Sequence, residues 1–225
     1  MGSLVAELES QLYIELDAYL SVTGLKDTRL SPEEEQAMAN YGKVEFKMFA
    51  ATEIFEIMNT GNILSREIVQ DSGRIPYLCA SAENNSVKSY IQYDESLINA
   101  GNCVFIGGKT FVVSYQGKAF FSNDSHNLAL YPRECERNRL NLLYLAACVY
   151  KSLSHKYSWG YSISRAKIEK DKISLPVKDG KPDYSTMSIL ISAVQKLVIK
   201  DVVAYSDKKL AAAKNIIENR NRRQG

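Results

Sequence analysis

Gly101-Asn102-Cys103-Val104-Phe105-Ile106-Gly107-Gly108-Lys109-Thr110-Phe111-Val112-Val113 places two short apolar runs on either side of a glycine pair. Runs 103–106 and 111–113 are rich in β-branched and aromatic residues, and Gly107-Gly108 is turn chemistry. The stretch therefore reads as two strands joined by a hairpin turn. Gly108-Lys109-Thr110 has the ending of a phosphate-binding P-loop, but the glycine such a loop needs at position 103 is Cys103. A strand, not a helix, follows it, so the turn is the expected reading. The same texture runs from 59 to 131. Arg74-Ile75-Pro76-Tyr77-Leu78 and Val87-Lys88-Ser89-Tyr90-Ile91 read as strands, punctuated by Asn84-Asn85, Gly101-Asn102 and Ser122-Asn123-Asp124.

Helices flank this β-rich centre. Leu4, Leu8, Leu12, Leu16 and Tyr19/Leu20 share one face of a helix over 4–20, which Thr23-Gly24 ends. Ser31-Pro32-Glu33-Glu34 starts another, with Ser as N-cap, Pro in the first turn and Glu reaching back. Val44, Phe46 and Met48 alternate with charges, and 54–57 looks like a second strand. Residues 138–153 read as a helix burying Leu142, Leu145, Ala146 and Val149. Ile173-Ser174-Leu175-Pro176-Val177 is a strand whose proline marks it as an edge or strand end, and Asp179-Gly180-Lys181-Pro182 is a turn. Beyond it, 185–222 has neither Gly nor Pro. Met187, Ile191, Val194, Val198, Tyr205, Ala212 and Ile216 fall on a 4-3 repeat interrupted by Asp201, with Tyr205-Ser206-Asp207 as a possible break. Such a helix extends roughly 55 Å and needs a partner, either the N-terminal helix or another chain. The expected fold class is α/β (α+β): a mixed-sheet domain over 43–184, an N-terminal helical segment over 1–42, and a long C-terminal helix over 185–225 that packs as a coiled coil. No internal repeat or low-complexity tract is present.

The chain has 225 residues, 24% of them charged and 45% hydrophobic, enough for one large domain with a real core. No apolar run reaches the roughly 18–20 residues of a membrane span, and residues 1–7 lack the basic and apolar regions of a signal peptide. Cys79, Cys103, Cys135 and Cys148 show no CxxC spacing, so free thiols in a reducing cytoplasm are expected. The net charge of +2 hides an asymmetry. Residues 1–45 carry nine acids against three bases, and the remainder 25 bases against 17 acids. An acidic entry segment thus precedes a basic body that could face a polyanion.

Catalytic signatures are missing. His126 and His155 are too isolated for a metal site or a triad. No GxSxG or helix-opening GxGxxG occurs, nor an Asn/Asp-Pro-Pro-aromatic tetrapeptide. Glu33-Glu34-Glu35 fits a solvated first helical turn. No metal and no catalytic residue is expected. What remains is an amide-rich, aromatic set of loops: Asn84, Asn85, Lys109, Thr110, Tyr115, Gln116, Asn123, Asp124, Tyr157, Trp159 and Tyr161, with Lys156, Arg165 and Lys167 beside them. Asn and Gln can pair bidentately with adenine, Lys and Arg can reach guanine or phosphate, and phenols fit phosphate oxygens. By residue type alone the same stretches read first as turns.

The order of motifs adds to this. Gly73-Arg74-Ile75-Pro76-Tyr77-Leu78, Ala82-Glu83-Asn84-Asn85-Ser86-Val87, Gly101 to Gly107, Ser114-Tyr115-Gln116, Phe120-Phe121-Ser122-Asn123-Asp124, Tyr157-Ser158-Trp159-Gly160 and Ile173 to Val177 followed by Asp179-Gly180-Lys181-Pro182-Asp183 succeed one another. The series resembles target recognition domains of restriction–modification specificity subunits, most of all the branch shared by type I S subunits and type IIB/IIG recognition subunits. Leu16-Asp17-Ala18-Tyr19-Leu20, Gly24-Leu25-Lys26-Asp27 and Leu30-Ser31-Pro32-Glu33-Glu34-Glu35 are similar to the lead-in helices of those subunits. The resemblance implies a non-catalytic reader of double-stranded DNA, whose base-reading loops lie within 84–126 and 157–167. Lys156, Arg165 and Lys167 then serve as backbone clamps. It also implies long helices docking a methyltransferase (M) subunit and, where present, a restriction (R) subunit, with S-adenosylmethionine held by the methyltransferase and no cofactor on this chain. Typical type I subunits carry two recognition domains; one is counted here. A half-subunit that forms a homodimer through its long helices and a fragment of a longer chain are both compatible with that count. A recognition piece of a fused methyltransferase–endonuclease and a coiled-coil scaffold are the alternative readings.

Overall fold

The computed structural model describes residues 2–134 and 137–224, with side chains over 8–134 and 137–212. Cys135 and the side chains of Leu4 and Ile216 lie outside that set. In chain order come α1 (Gly2–Val22), α2 (Pro32–Asn40), β1 (Phe46–Ala50), the short α3 (Ala51–Ile54) and β2 (Phe55–Asn59). β3 (Ile75–Leu78), β4 (Val87–Ile91), β5 (Cys103–Gly107), β6 (Val112–Gln116), β7 (Phe121–Ser122) and β8 (Leu128–Pro132) follow. Then come α4 (Arg139–Leu153), α5 (Arg165–Ile168), β9 (Lys172–Lys178), β10 (Lys181–Pro182) and α6 (Tyr184–Gln224). The fold is mixed α/β. The chain divides into two compact units, 40–191 and a helical unit of 1–39 with 192–225.

In the larger unit, the strands with unbroken apolar sequence take the middle places. β5 (CVFIG) and β8 (LALYP) are buried along their whole length, which a strand covered on both faces requires. They lie at the centre of a four-stranded sheet ordered β2-β8-β5-β6. The β8 run was not read as a strand in the sequence, although it is as continuously apolar as β5. α4 lies on β5, β6 and β9, and its Leu142, Leu145, Ala146 and Val149 are all buried. Asn138 caps it, accepting from the Asn141 amide. A second sheet, β4-β3-β7, supplies Tyr77, Ile91 and Phe121 to a core that also holds Ile63. The third is β1-β9-β10.

β9 is the middle strand of that sheet, so of the two places its proline suggested, an edge or a strand end, the edge is excluded. Pro176 stands opposite Phe46, while β10 reaches only Val177 and Lys178. The pyrrolidine nitrogen therefore faces the side where β10 has already ended, and no ladder bond is lost. Asp179 and Gly180, with φ of 53° and 79°, form the two-residue turn with two positive φ angles that a tight hairpin demands.

The helical unit is held by one buried carboxylate. The Glu34 side chain closes a capping box with Ser31, accepting from the Ser31 amide at 2.7 Å while the Glu34 amide donates to Ser31 Oγ at 3.2 Å. The same carboxylate accepts from Ser192 Oγ at 2.6 Å and from Lys196 Nζ at 2.9 Å on α6. Tyr13 and Tyr205 meet edge to face across α1 and α6. α6 is continuous through Tyr205-Ser206-Asp207. Its buried stripe is Met187, Leu190, Ala193, Val203 and Ser206, whereas Val194, Val198 and Tyr205 of the expected repeat are exposed. Among the described residues no helix is long and apolar enough to cross a membrane.

Burial pushes the Glu34 carboxyl up, but the bonds from Ser192, Ser31 and Lys196 outweigh it and hold the group below its ordinary 4.5. A depressed folded-state pKa contributes stability above the unfolded value, which is lost as pH falls through the folded value. Urea denaturation followed by helicity should therefore show the helical unit weakening below about pH 4.5. Glu34→Gln should blunt that dependence and cost about 1–3 kcal/mol at neutral pH.

Candidate nucleic-acid interface

The four-residue turn between β5 and β6 is where the candidate loops meet. Gly107 and Gly108 have no room for a side chain: a Cβ would stand 2.7 Å from Ala80 Cα at the first and 2.2 Å from the His126 carbonyl oxygen at the second. The flanking loops thus press on bare backbone. The Phe111 amide closes the turn on the Gly107 carbonyl at 2.9 Å, with Phe111 itself at φ 55°. Its buried ring packs on Tyr157 and stacks over Tyr150 of α4.

Three loops are fastened to this turn. Thr110 Oγ1 donates to the Ala80 carbonyl at 2.8 Å, joining the loop before β4. The Gly108 amide donates to Asn127 Oδ1 at 2.9 Å, and Lys109 pairs with Asp124 at 2.6 Å, joining the loop 122–127. The Ile163 amide donates to the Gly108 carbonyl at 3.1 Å, joining 157–163.

Each loop has its own internal stiffening. Asn84, Asn85 and Ser86 stand consecutively at positive φ (47°, 52° and 69°), a conformation most residues avoid and Asn tolerates. They are held there from β6: Asn85 Nδ2 donates to the Tyr115 carbonyl at 3.0 Å, and Gln116 Nε2 donates to the Asn85 carbonyl at 2.8 Å. A cavity of about 560 Å³ opens between this loop, β6 and α4, lined by Asn85, Ser86, Thr110, Tyr115 and Tyr150 among others. In the loop 122–127 the buried Asn127 donates to Ser122 Oγ and Asn123 Oδ1, both at 3.0 Å. Burial pushes the Asp124 carboxyl up, but Lys109 and the amide and ring of His126 hold it below the usual carboxylate range.

The loop 157–167 is built on aromatic rings. Tyr157 is buried and donates to Asp171 Oδ2 at 2.6 Å, while Lys156 reaches Asp171 Oδ1 at 2.7 Å. Burial first, and the hydrogen bond to Asp171 second, push the Tyr157 phenol well above its ordinary value. Tyr161 stacks on Tyr157 with the rings 8° from parallel, and Lys167 Nζ sits 3.8 Å over the Tyr161 ring. Arg165 pairs with Glu169 one helical turn on.

The model of the type I restriction modification DNA specificity domain matches residues 43–204. The chain belongs to that family. Within a specificity subunit of a type II restriction enzyme from Heyndrickxia coagulans, S.BcgI, 153 residues align at 22% identity, 67% of this chain and 44% of that protein. A chain from a type I R-M system, solved for its complex assembly and conformational transition, superposes with a TM-score of 0.51 at 15% identity, over 95% of this chain and 55% of that one. The S subunit of a type I restriction-modification system from M. genitalium covers the same 95%, and 51% of its own length, at 13% identity and a TM-score of 0.47. The chain spans about half the length of the relatives it matches.

Within this specificity domain, the residues singled out by sequence divide by exposure. Asn84, Asn85, Lys109, Thr110, Trp159, Tyr161, Lys156 and Arg165 are exposed, and Tyr115, Asn123, Asp124 and Lys167 are half-buried. Gln116 and Tyr157 are buried, with their polar ends spent on Asn85, Ser114 and Asp171. They cannot meet a duplex without the fold opening, so their expected contact role is corrected to one of positioning loops. Arg133 and Arg137, just before α4, donate to the backbone carbonyls of Thr52, Phe55 and Pro132. The sequence reading missed Phe111, Asn127 and Asp171. Nothing local to Asn127 or Asp171 announces a buried partner, although a bulky residue closing a Gly-Gly turn was visible. Among the described residues no cluster of His, Cys, Asp or Glu could hold a metal ion. Cys79, Cys103 and Cys148 are free thiols, and burial pushes Cys103 and Cys148 up to about 12, away from reactive thiolates.

Gly108→Ala should destabilise the larger unit by about 2–3 kcal/mol, because the clash is with backbone. Gly160→Ala, where a Cβ meets nothing within 4 Å, should cost about 1 kcal/mol or less through its φ of 96° alone. Chemical denaturation of both variants checks the difference.

Proposed function

We propose that this chain is the sequence-reading component of a restriction–modification assembly, non-catalytic itself, which directs a partner adenine methyltransferase and, where present, a nuclease subunit to one DNA target. The observation that carries the reading is the convergence of loops 79–86, 122–127 and 157–167 on the single turn 108–111. Amides, phenols and cations on exposed loops fixed to one scaffold are what base-edge and phosphate contacts need. Asn84, Asn85, Thr110, Tyr115, Asn123 and Asp124 are the base-reading candidates. Lys109, Lys156, Arg165 and Lys167 are the phosphate clamps; the first three pair with Asp124, Asp171 and Glu169, while Lys167 has no carboxylate partner among the described residues.

S-adenosylmethionine belongs to the methyltransferase in this reading, and the chain acts where the DNA is, in the cytoplasm. α1 exposes Leu8, Leu12 and Tyr19, and α6 exposes Val194, Leu197, Val198, Val202 and Tyr205. These stripes support coiled-coil pairing with a second copy or docking of the methyltransferase. A two-fold pair of readers would recognise a palindromic, interrupted site.

A base-modification map of cells with and without the gene, the methyltransferase present, should lose one methylated motif when the gene is removed; an unchanged map would contradict the assignment. In binding assays, Ala substitution of Lys156, Arg165 and Lys167 should lower the slope of log affinity against log salt by about 0.9 per clamp. An unchanged slope removes them from the interface.

A further inference from the structure

We propose that Trp159 is a stacking wedge, inserted against the face of a base so that it opens one step of the duplex and makes the target's deformability part of what is read. The proposal rests on the reading of this chain as a DNA reader. Trp159 is the chain's lone tryptophan and is 83% exposed, yet it does not sit on a loose loop. The Tyr161 amide donates to the Ser158 carbonyl at 3.0 Å, and the Ser158 amide to the Tyr161 carbonyl at 3.3 Å. Gly160 takes the third place of this tight turn at φ 96°, which leaves Trp159 at the tip. Both ends of the loop are nailed into the fold: Tyr157 through Asp171, and Ile163, fully buried, through its bond to Gly108. The Tyr157–Tyr161 stack with Lys167 above it stiffens the base of the turn. An indole is thus held out in solvent by a rigid platform.

The surroundings fit a polyanion with stacked rings better than a protein groove. Between 151 and 172 there are six Lys/Arg and two acids, and both acids are already paired, Asp171 with Lys156 and Glu169 with Arg165. Lys167 has no carboxylate partner among the described residues and sits on the ring adjoining the tip. The neighbours of Trp159 in the turn are Ser158 and Gly160, with no aliphatic rim for an apolar pocket to close on. A cationic collar around one protruding aromatic is the arrangement that stacks on a base while phosphates are clamped. Unstacking is easiest at pyrimidine–purine steps, so the recognised motif should contain or adjoin a TA or CA/TG step.

The test uses the full chain and a fluorescein-labelled duplex selected on it from a random pool, with a second version carrying 2-aminopurine at the pyrimidine–purine step. Binding should quench the tryptophan emission of the wild-type chain and brighten the 2-aminopurine. Trp159→Ala should bind about 10–100-fold more weakly by anisotropy with an unchanged salt slope and no 2-aminopurine signal, whereas Trp159→Phe should retain most of both. If the duplex binds by anisotropy while the emission stays constant and Trp159→Ala binds as tightly as wild type, the wedge is wrong and the DNA-reading function stands. An emission change on adding the partner methyltransferase without DNA assigns Trp159 to a protein contact instead. If selection yields no duplex preferred over a scrambled one, the reading of the chain as a DNA reader falls as well.

Discussion

The candidate interface depends on a place where side chains are absent. At Gly107 and Gly108 the backbone of β5 and its turn is approached so closely by Ala80 and His126 that no Cβ fits. This contact lets three loops, distant in sequence, hang from one hairpin. A single turn offers an amide to Asn127, a carbonyl to Ile163 and a hydroxyl to Ala80. The loops inherit the stiffness of β5, the most deeply buried kind of strand in the fold. A reader of base edges needs that stiffness, since a displacement near 1 Å spoils a bidentate pair.

The cost of the arrangement is a polar interior. Thr60, Ser122 and Asn127 are buried together, and the network is tolerable because its members bond one another: Thr60 Oγ1 to Ser122 Oγ, Asn127 Nδ2 to Ser122 and Asn123, and the Thr60 amide to the Asn127 carbonyl. Satisfied networks of this kind specify one conformation, while a half-satisfied one destabilises. The helical unit shows the contrast. There Glu34 gathers Ser31, Ser192 and Lys196 around one carboxylate, but Ser206 Oγ is buried without a partner among the described residues.

Local signals with a single physical cause were legible in the sequence: the Ser31–Glu34 capping box, the Asp179-Gly180 turn, the buried face of α4 and the hairpin at Gly107-Gly108. Each depends on neighbours a few residues away. β8 went unread although it is as continuously apolar as β5, and β9 is a middle strand because a proline is harmless there once its neighbour ends early. On α6 the expected repeat leaves Val194, Val198 and Tyr205 exposed, while an overlapping stripe of Leu190, Ala193 and Val203 is the buried one, a division that a pattern of apolar residues does not reveal. In the candidate interface, residue type picked out loops that the fold gathers on one turn, but not which of their side chains are exposed. Gln116 and Tyr157 look like contact residues, and only the fold reveals that their polar atoms face inward.

The central claim is that the loops form one mechanical unit with the β5–β6 turn. Native-state hydrogen exchange of the amides of Gly108, Phe111, Asn127 and Ile163 tests it most directly. If the turn holds the loops, these four amides exchange with one common opening free energy and lose protection together as denaturant is added. Fast, independent exchange at Ile163 or Asn127, with Gly108 and Phe111 still protected, would contradict the account.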